Sequence, residues 1–455
     1  MASHIPILPL KTLLGELRPL VIGFNISSHH STHATCFLVG QNVPGAPILQ
    51  QFKTEDYTDS NALEAAIPPG LLIDHTSSWI AQAEKETTTV VVSTMSGTGQ
   101  ASNFYKNVLE PLLRKFDLLE SRDFELQTTN SASTITELTA SIFCPRAANK
   151  SQNIVLLSGD GGMSDIINGI MEAEDARGDK WIAPTINLVP IGTGNALANS
   201  SGIIGPGDNT FGLRSLFCGQ PKPVPIFRVT FTEGARLLSN EGTKADPLKT
   251  TSQSLYGAVV CSWALHATLV ADSDTKEYRK HGDKRFAMVA NDLVNPKDGS
   301  GPHSYKGDLK LLKAHAETRT QTFDDQLTEQ KEHCYLLATF CSKLDANFTI
   351  SPRSRPLDGR LMLVRFGPQN NAQEIWRLMG NGQELLANDP AVTYREVDGF
   401  MIAFEEEEER WRRVCVDGHI IQVEKGGQLT VSKHVGGEVV RLRVMESFVE
   451  PLTIV

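Results

Sequence analysis

The stretch Asn153–Met171 reads NIVLLSGDGGMSDIINGIM and decides the fold of the region around it. Its apolar run Ile154–Leu157 is too short for a free-standing helix and is typical of a buried parallel strand. A glycine-rich turn, Ser158–Gly162, follows the strand. The apolar residues after the turn recur at helical spacing: Met163, Ile166, Ile167, Ile170 and Met171. The pattern predicts a strand, a sharp turn and a helix whose free N–H groups and positive dipole end suit an anion.

One carboxylate, Asp160, lies inside this turn, between Gly159 and Gly161. The two glycines let the backbone approach a ligand closely. A turn that suits anions gains little from an acid, so we interpret Asp160 as a group that handles a proton or a metal ion. The alternative is a plain glycine turn with an aspartate on the surface.

Composition sets broader bounds. A chain of 455 residues predicts two or three domains, and a hydrophobic fraction of 40% excludes a disordered chain. A net charge of −10 argues against a general binder of nucleic acid or of anionic membranes, but it does not exclude a local basic patch. The seven cysteines contain no CxxC pair, which indicates neither a disulfide framework nor a zinc site. The start lacks the pattern of a signal peptide, and no apolar run reaches the about 20 residues that span a bilayer. We expect a cytoplasmic protein.

Three more segments repeat the strand, turn and helix pattern. Thr89–Val92 precedes a turn with Gly97 and Gly99, and Phe124–Gln127 leads through Thr129 to a helix over 132–143. Ile186–Pro190 precedes a turn that contains Gly192, Thr193, Gly194 and Asn195. Units of this kind in series predict a doubly wound, mostly parallel sheet with helices on both faces. Ligands bind at the carboxyl ends of such strands, where all these turns fall.

The spacing of the glycines excludes two common nucleotide sites. No GxxxxGK[ST] occurs, so there is no P-loop, and Ser102 stands where the third glycine of a dinucleotide fingerprint belongs. The turn Ser158–Gly162 contains no lysine or arginine. Cations for a polyphosphate must therefore come from elsewhere in the chain.

Five blocks, in order and at comparable separations, resemble the catalytic fold of the diacylglycerol kinase family of lipid kinases. Within that family they are most similar to the sphingosine/ceramide kinase branch. The blocks are SGDGGMSDIING (158–169), PIGTGNALANS (190–200), SWALHATLVADSDTKEYRKHGDKRF (262–286), PLDGRLMLV (356–364) and VDG (416–418). The resemblance implies a nucleotide-binding catalytic α/β domain over 86–224 and an antiparallel β-sandwich lipid-substrate domain over 225–455. Residues 1–85 would be an extension of open role, with a strand added to the second domain as one option.

The resemblance also assigns roles. Asp160 matches the aspartate that takes the proton of the lipid hydroxyl, which suits phosphoryl transfer. Arg279 and Arg285 match basic residues that reach the ATP phosphates. Asp272 matches the acid that pairs with an amino-alcohol head group, and Asp165 matches a second substrate-binding acid. The remaining nucleotide-binding positions are Gly97, Gly99, Thr129, Gly159, Gly161, Gly192, Thr193, Gly194, Asn195 and Asp417, with Asp417 also near Mg²⁺.

Other interpretations of these charged residues stay open. Arg279 and Arg285 fit a solvated helix face, Asp272 fits a helix cap, and Asp417 with Gly418 fits a hairpin turn. Two departures from the family pattern bear on activity. Ser93, Thr94 and Met95 stand where an NP dipeptide and a basic residue are usual, and His419 replaces a glutamate.

The sequence therefore predicts a kinase that uses ATP and Mg²⁺ to phosphorylate a lipid hydroxyl, with a sphingoid long-chain base as the first substrate. Alternatives are a diacylglycerol or ceramide kinase, an NAD-kinase-like enzyme, and a catalytically weak nucleotide- or lipid-binding homologue. We expect a lipid partner, peripheral contact with a membrane and no nucleic acid, and the oligomeric state stays open.

Three further predictions concern residues outside the motifs. Short strands, including one over Val439–Val444, dominate the second domain, and the polar insertions Glu233–Ser254 and Ala314–Glu332 are expected to be mobile loops. Helical spacing over Gln373–Leu386 predicts an amphipathic helix that packs on the core, with a lid over the lipid as the alternative. The acidic run Glu405–Glu409 is expected to be solvated.

Overall fold

The structure is a computed structural model, and it describes residues 5–27, 31–41, 46–73, 86–173, 181–205, 207–248, 253–282, 284–315, 320–324, 331–369, 371–380 and 388–445. Its α-helices are Leu10–Leu14, Ser60–Ala66, Ala101–Phe104, Glu110–Lys115, Thr134–Leu138, Cys144–Ala147, Asp160–Glu172, Ala196–Ser201, Leu213–Cys218, Leu265–Ser273, Lys276–Arg279, Lys284–Val294 and Ala372–Gly380. Shorter turns of 3₁₀ helix are Arg18–Leu20, Pro69–Leu71 and Glu409–Arg412, and π-helical turns are Tyr105–Leu109 and Thr139–Phe143.

A mostly parallel sheet forms the first domain. Its strands are β5 (Thr87–Val92), β6 (Glu125–Thr128), β7 (Gln152–Ser158), β8 (Thr185–Pro190), β9 (Gln220–Pro223) and β25 (Arg441–Val444). They lie in the order β6-β5-β7-β8-β25-β9, with only β9 antiparallel to its neighbour. Every residue of β7 and β8 is buried, as expected for central strands with helices on both faces. This confirms the predicted fold class of the region.

Strand β25 corrects one expectation. The sequence predicted a strand over Val439–Val444 within the second domain, but β25 pairs with β8 and β9 in the first sheet. Arg443 explains the fit, because its buried guanidinium donates to Asn187 Oδ1 at 2.7 Å and to the Gly219 carbonyl at 3.0 Å. An apolar alternation identifies a strand, but only long-range pairing decides which sheet receives it.

Two antiparallel sheets form the second domain, which confirms the predicted second fold class. One sheet runs β13-β10-β24-β21-β15-β16, with β17 also paired to β15, and the other runs β12-β11-β23-β22-β14-β18-β19-β20. The strands of the first are β10 (Phe227–Phe231), β13 (Ser254–Gly257), β15 (Tyr305–His315), β16 (Thr320–Asp324), β17 (Glu332–His333), β21 (Gly399–Phe404) and β24 (Gln428–Lys433). Those of the second are β11 (Arg236–Ser239), β12 (Lys244–Pro247), β14 (Val260–Ala264), β18 (Tyr335–Thr339), β19 (Met362–Phe366), β20 (Val392–Glu396), β22 (Arg413–Val416) and β23 (His419–Gln422).

The insertions expected to be loops contain strands. Glu233–Ser254 supplies the hairpin β11–β12 and the first residue of β13, and Ala314–Glu332 supplies β16 and the start of β17. Polar residues on both faces hid these strands, because an edge hairpin needs little apolar surface. The acidic run is also only partly solvated: Glu406 is buried and accepts hydrogen bonds from His303 Nε2 and from Lys306 N.

Residues 5–73 include a sheet of their own. It runs β1-β4-β3-β2, with β1 (Ile7–Leu8), β2 (Val21–Asn25), β3 (Thr35–Gln41) and β4 (Pro47–Thr54). The sequence left open whether this region adds a strand to the second domain. Its described strands pair with each other, and its Ile22, Phe37 and Val39 share an apolar cluster with the first domain. A short helix, which the sequence suggests over 71–83, lies outside the described residues beyond residue 73.

The helix Asp160–Glu172, called here the Asp160 helix, joins the two domains. Its predicted apolar face is buried in the largest apolar cluster of the described residues: Met163, Ile166, Ile167, Ile170 and Met171. The same cluster contains residues of the first sheet and of both antiparallel sheets. The helix Ala372–Gly380 also buries Ile375 and Leu378 there, as predicted for a packing face, and residues 381–387 lie outside the described part of the chain.

Candidate active site

Three glycine turns meet backbone to backbone at the carboxyl ends of β5, β7 and β8. A side-chain carbon added to Gly192 would lie 2.5 Å from Gly159 Cα, and one added to Gly97 would lie 2.3 Å from the Ile191 carbonyl oxygen. Gly97 also has a positive φ of 54°. These glycines are therefore required by the packing of the turns, independently of any ligand.

Gly161 differs from these three glycines. Apart from its two chain neighbours and the backbone of its own helix, no described atom lies within 4 Å of the position that its side-chain carbon would occupy. The start of the Asp160 helix is thus open toward the space in front of the turn. Gly99 has a positive φ of 75°, which glycine adopts readily but which would strain a residue with a side chain. Gly194 approaches the second domain, since an added carbon would lie 3.0 Å from the Leu344 carbonyl.

Hydroxyl groups link the turns in a way that the sequence reasoning missed. Ser96 Oγ lies 3.1 Å from Ser158 Oγ and accepts the Gly159 N–H at 3.1 Å. Thr94 N donates to Thr129 Oγ1 at 3.0 Å, and Thr94 Oγ1 donates to the Thr129 carbonyl at 2.9 Å. Thr129 therefore holds the first turn in place, a role consistent with a short polar residue after a strand.

The turn after β8 is closed by Asn195. Its backbone is left-handed, with φ 52°, a conformation that asparagine tolerates better than most residues. Its Oδ1 accepts the Gly192 N–H at 2.9 Å, and its Nδ2 donates to the Gly192 carbonyl at 2.9 Å. The predicted loop Gly192–Asn195 thus forms a rigid turn, with Thr193 half-buried within it.

Asp160 bridges two of the turns. Its Oδ2 accepts the Ala196 N–H at 2.8 Å and its Oδ1 accepts the Leu197 N–H at 3.0 Å, at the start of the helix Ala196–Ser201. Burial raises the pKa of Asp160, and the two N–H groups partly offset that rise. A carboxylate oxygen has two lone pairs, so each oxygen can still accept a further proton or hydrogen bond.

Asp417 lies in the turn between β22 and β23 and is buried. Its carboxylate accepts the N–H groups of Ala258 at 2.6 Å, of Val259 at 3.0 Å and of Val260 at 2.7 Å. Burial raises its pKa to about 6 against these hydrogen bonds, and the nearby charge of Asp160 acts in the same direction. Asp417 therefore holds the segment of chain that leads into β14.

Asp165 faces His419 across the two domains. His419 Nε2 lies 3.5 Å from Asp165 Oδ1, and His419 Nδ1 lies 3.4 Å from Ser164 Oγ. Burial alone lowers the pKa of His419, but the contact with Asp165 and the charge of Asp417 raise it overall. Asn168, on the same helix, donates to the Tyr256 carbonyl and accepts the Tyr256 N–H, both at 2.9 Å. The sequence reasoning did not single out Asn168.

Asp272 is engaged by two arginines that the sequence reasoning did not connect with it. Arg410 Nη2 lies 2.7 Å from its Oδ2, and Arg413 Nη1 lies 2.7 Å from its Oδ1. The sequence predicted an amine of the substrate at this carboxylate. In the structure the two guanidinium groups occupy it, and the three side chains together carry a charge of +1.

Arg279 and Arg285 converge on Asp274 rather than on the glycine turns. Arg279 holds it with Nε at 2.9 Å and Nη2 at 2.7 Å, and Arg285 Nη1 lies 3.6 Å from Asp274 Oδ1. The ion pair raises the pKa of Arg279, whereas burial lowers that of Arg285. Asp274 lies in the same short charged stretch as both arginines, so the charge pattern was the signal that could have identified it.

The site residues suit a nucleotide better than they suit a metal ion held by protein side chains alone. Open space at Gly161 beside a helix start leaves room for a phosphate. Within the described residues, no group of three His, Cys, Asp or Glu side chains can hold a metal ion. Magnesium binds through phosphates plus one or two carboxylates, so Asp160 and Asp417 are the residues that would complete such a site.

Parts of the chain are similar to known proteins. Residues 87–229 match the family model of the diacylglycerol kinase catalytic domain. The chain is 30% identical over 203 residues to sphingosine kinase 1 of Homo sapiens and 23% identical over 206 residues to that of Rattus norvegicus. Each match covers 44% of this chain and 46% of the relative, so the chain spans about half the length of these relatives.

A solved structure, a putative diacylglycerol kinase from Bacillus anthracis, superposes with a TM-score of 0.51 at 15% identity. The superposition covers 79% of this chain and 97% of that one, which shows a common fold. No helix in the described part of the chain has the length and apolarity to cross a membrane. Residues 87–229 therefore match the diacylglycerol kinase catalytic domain, and part of the chain is similar to the sphingosine kinases.

Proposed function

We propose that this protein is an ATP-dependent lipid kinase that transfers the γ-phosphate of ATP to a hydroxyl group of a lipid. The observation that carries the proposal is Asp160, whose carboxylate lies at the junction of the glycine turns beside the open face of Gly161. A base with a raised pKa is suited to accept the hydroxyl proton.

In the proposed reaction, the lipid hydroxyl oxygen attacks the γ-phosphorus and its proton passes to an Asp160 oxygen. The bond from the γ-phosphorus to the bridging oxygen breaks, and ADP leaves. Mg²⁺, when bound, would neutralise charge on the phosphates. The helix start at Gly161 contributes N–H groups toward the same negative charge.

Arg279 and Arg285 are the cations that we propose for the phosphates. Asp274 uses Nε and Nη2 of Arg279 and Nη1 of Arg285. Other N–H donors on both guanidinium groups therefore stay available to an anion. The described contacts of Thr129, Gly192 and Asn195 support a second role for these residues, which is to hold the turns that a nucleotide would touch.

For the substrate, we propose a sphingoid long-chain base first, because sphingosine kinases are among the proteins that the chain matches. Asp165 and Asp272 are the acids assigned to it by resemblance. A neutral hydroxyl lipid, such as a diacylglycerol or a ceramide, is the second candidate. It is favoured by the two arginines on Asp272, which repel a cationic head group. We also propose that the protein contacts a membrane surface from one side, because a lipid substrate resides in the membrane.

The test is transfer of label from [γ-³²P]ATP by the purified full chain. The acceptors are a sphingoid base, a ceramide, a diacylglycerol and, for an NAD-kinase-like reaction, NAD. We expect a labelled lipid, and we expect Asp160→Asn to lower kcat by about 10²- to 10⁴-fold. Thermal unfolding of the variant checks that the fold is kept.

Each other outcome has a meaning. Transfer to NAD alone would replace the proposal with a nucleotide kinase. ATP binding without transfer to any acceptor would identify a non-catalytic homologue, with Ser93, Met95 and His419 as the residues to revert first. Preference for neutral lipids over the sphingoid base would select the second candidate.

A further inference from the structure

His419 and Asp165, which the sequence placed in separate motifs, meet between the two domains. His419 belongs to β23 of the second domain, and Asp165 lies in the second turn of the Asp160 helix. Their Nε2···Oδ1 distance is 3.5 Å, with side-chain exposures of 27% and 23%. The other ring nitrogen of His419 faces Ser164 Oγ at 3.4 Å, so both nitrogens point at this helix.

The two ends of this contact are joined to the proposed catalytic carboxylates. Asp165 is on the helix that begins with Asp160, and His419 follows the turn that holds Asp417. Asp417 is fixed by backbone N–H groups, and Asp160 is fixed by the start of the helix Ala196–Ser201. The side chains of Asp160 and Asp417 therefore have little freedom to move by themselves. The separation of the two carboxylates is set by where the helix packs against the β22–β23 turn.

A second polar tie joins the same helix to the second domain. Asn168 pairs with both backbone groups of Tyr256 in β13, as a neighbouring strand would. The apolar face of the helix is buried in the core as well. The contact at Asp165, three residues before Asn168, adds a polar tie to the second domain closer to Asp160.

We propose that His419 and Asp165 form an interdomain latch that positions Asp160 relative to Asp417. The expected effect of the latch on turnover rests on the proposed function. The contact between His419 and Asp165 does not depend on that function. It makes His419 a positioning residue and not a defect of the site. It also gives Asp165 a protein partner instead of the substrate.

The charges of the two residues favour their contact. A glutamate facing Asp165 at this distance would set two carboxylates against each other, which is unfavourable in a half-buried place. Histidine turns the same contact into an attraction.

The test is a double-mutant cycle with Asp165→Asn and His419→Gln, together with the swap Asp165→His plus His419→Asp. We expect each single change to lower kcat about 10- to 100-fold, the effect of a small misplacement of reacting groups, with little change in the KM for ATP. The double variant should be no worse than either single variant, and the swap should recover most of the activity. Glu110→Gln, which breaks the exposed pair with Arg114, is the matched control and should leave kcat unchanged.

Two results would overturn the latch. Additive effects of the two changes would mean that the residues act independently. A rise in the KM for the lipid with Asp165→Asn, but not with His419→Gln, would return Asp165 to the substrate site.

Failure of the proposed function gives a different result. If the wild-type chain phosphorylates no acceptor, the wild type, the two single variants, the double variant and the swap are compared by chemical denaturation. If the losses of unfolding free energy in the two single variants do not add up in the double variant, and the swap recovers the stability, the latch is supported. If the losses are additive, the latch is overturned.

Discussion

At the scale of single residues, Asp417 shows how a residue from a resembling motif can have a structural task. Its carboxylate accepts the N–H groups of Ala258, Val259 and Val260, which come just before and at the start of β14. Because the residue is buried, water cannot replace those bonds when the carboxylate is removed.

We expect Asp417→Ala to lower the free energy of unfolding by about 2–4 kcal/mol, since buried N–H groups lose their acceptor. Chemical denaturation measures this loss. Asp298→Ala is the control, because Asp298 also accepts a backbone N–H, from Ser300, but on the exposed surface. A loss no larger than that of the control would show that Asp417 acts on a ligand only.

At the scale of elements, the turns contain glycine for two different reasons. Gly97, Gly159 and Gly192 are needed where turns touch each other, whereas Gly161 faces open space. The sequence treated all of them as nucleotide-binding residues, because a glycine-rich turn looks the same in either case. Only the distance between turns distinguishes packing from access for a ligand.

We expect Gly192→Ala to lower the free energy of unfolding by about 1–3 kcal/mol, because its added carbon would lie 2.5 Å from Gly159 Cα and the backbone cannot move aside. Gly161→Ala should keep the stability of the wild type. If a phosphate approaches this helix start, the same change should weaken ATP binding in a calorimetric titration. Equal stability losses for the two variants would contradict the distinction.

At the scale of the whole molecule, two buried histidines couple the fold to pH. His333 accepts from Arg365 Nε at 3.1 Å through Nδ1, and its Nε2 lies 3.0 Å from the Gly307 carbonyl. His266 is buried, with Nδ1 2.7 Å from Ser262 Oγ. Burial lowers the pKa of each to about 4, so both are neutral in the folded protein at pH 6.

A lowered pKa in the folded state means that the unfolded chain binds protons first as the pH falls. Stability should therefore decline from about pH 6.5 toward pH 4, by about 3 kcal/mol for each histidine. Denaturation at a series of pH values measures the slope. His333→Gln should reduce the slope, and His281→Gln, an exposed control, should not. An unchanged slope in His333→Gln would show that other groups cause the decline.

The sequence by itself determined the local elements of the first domain and the position of Asp160. Buried strands such as β7 and helices such as the Asp160 helix follow from periodicity and turn chemistry within a few residues, so a local pattern suffices for them. The resembling blocks then indicated the two fold classes, which the structure and the comparisons confirm. The roles of the site residues stay predictions.

Tertiary structure alone decided the partners. Arg410 and Arg413 lie far from Asp272 along the chain, as does His419 from Asp165 and β25 from β8. A carboxylate in a motif does not reveal which cation reaches it, because that depends on how sheets are stacked and paired. Strand pairing and charge pairing are both set by contacts between distant segments, and a one-dimensional pattern records neither.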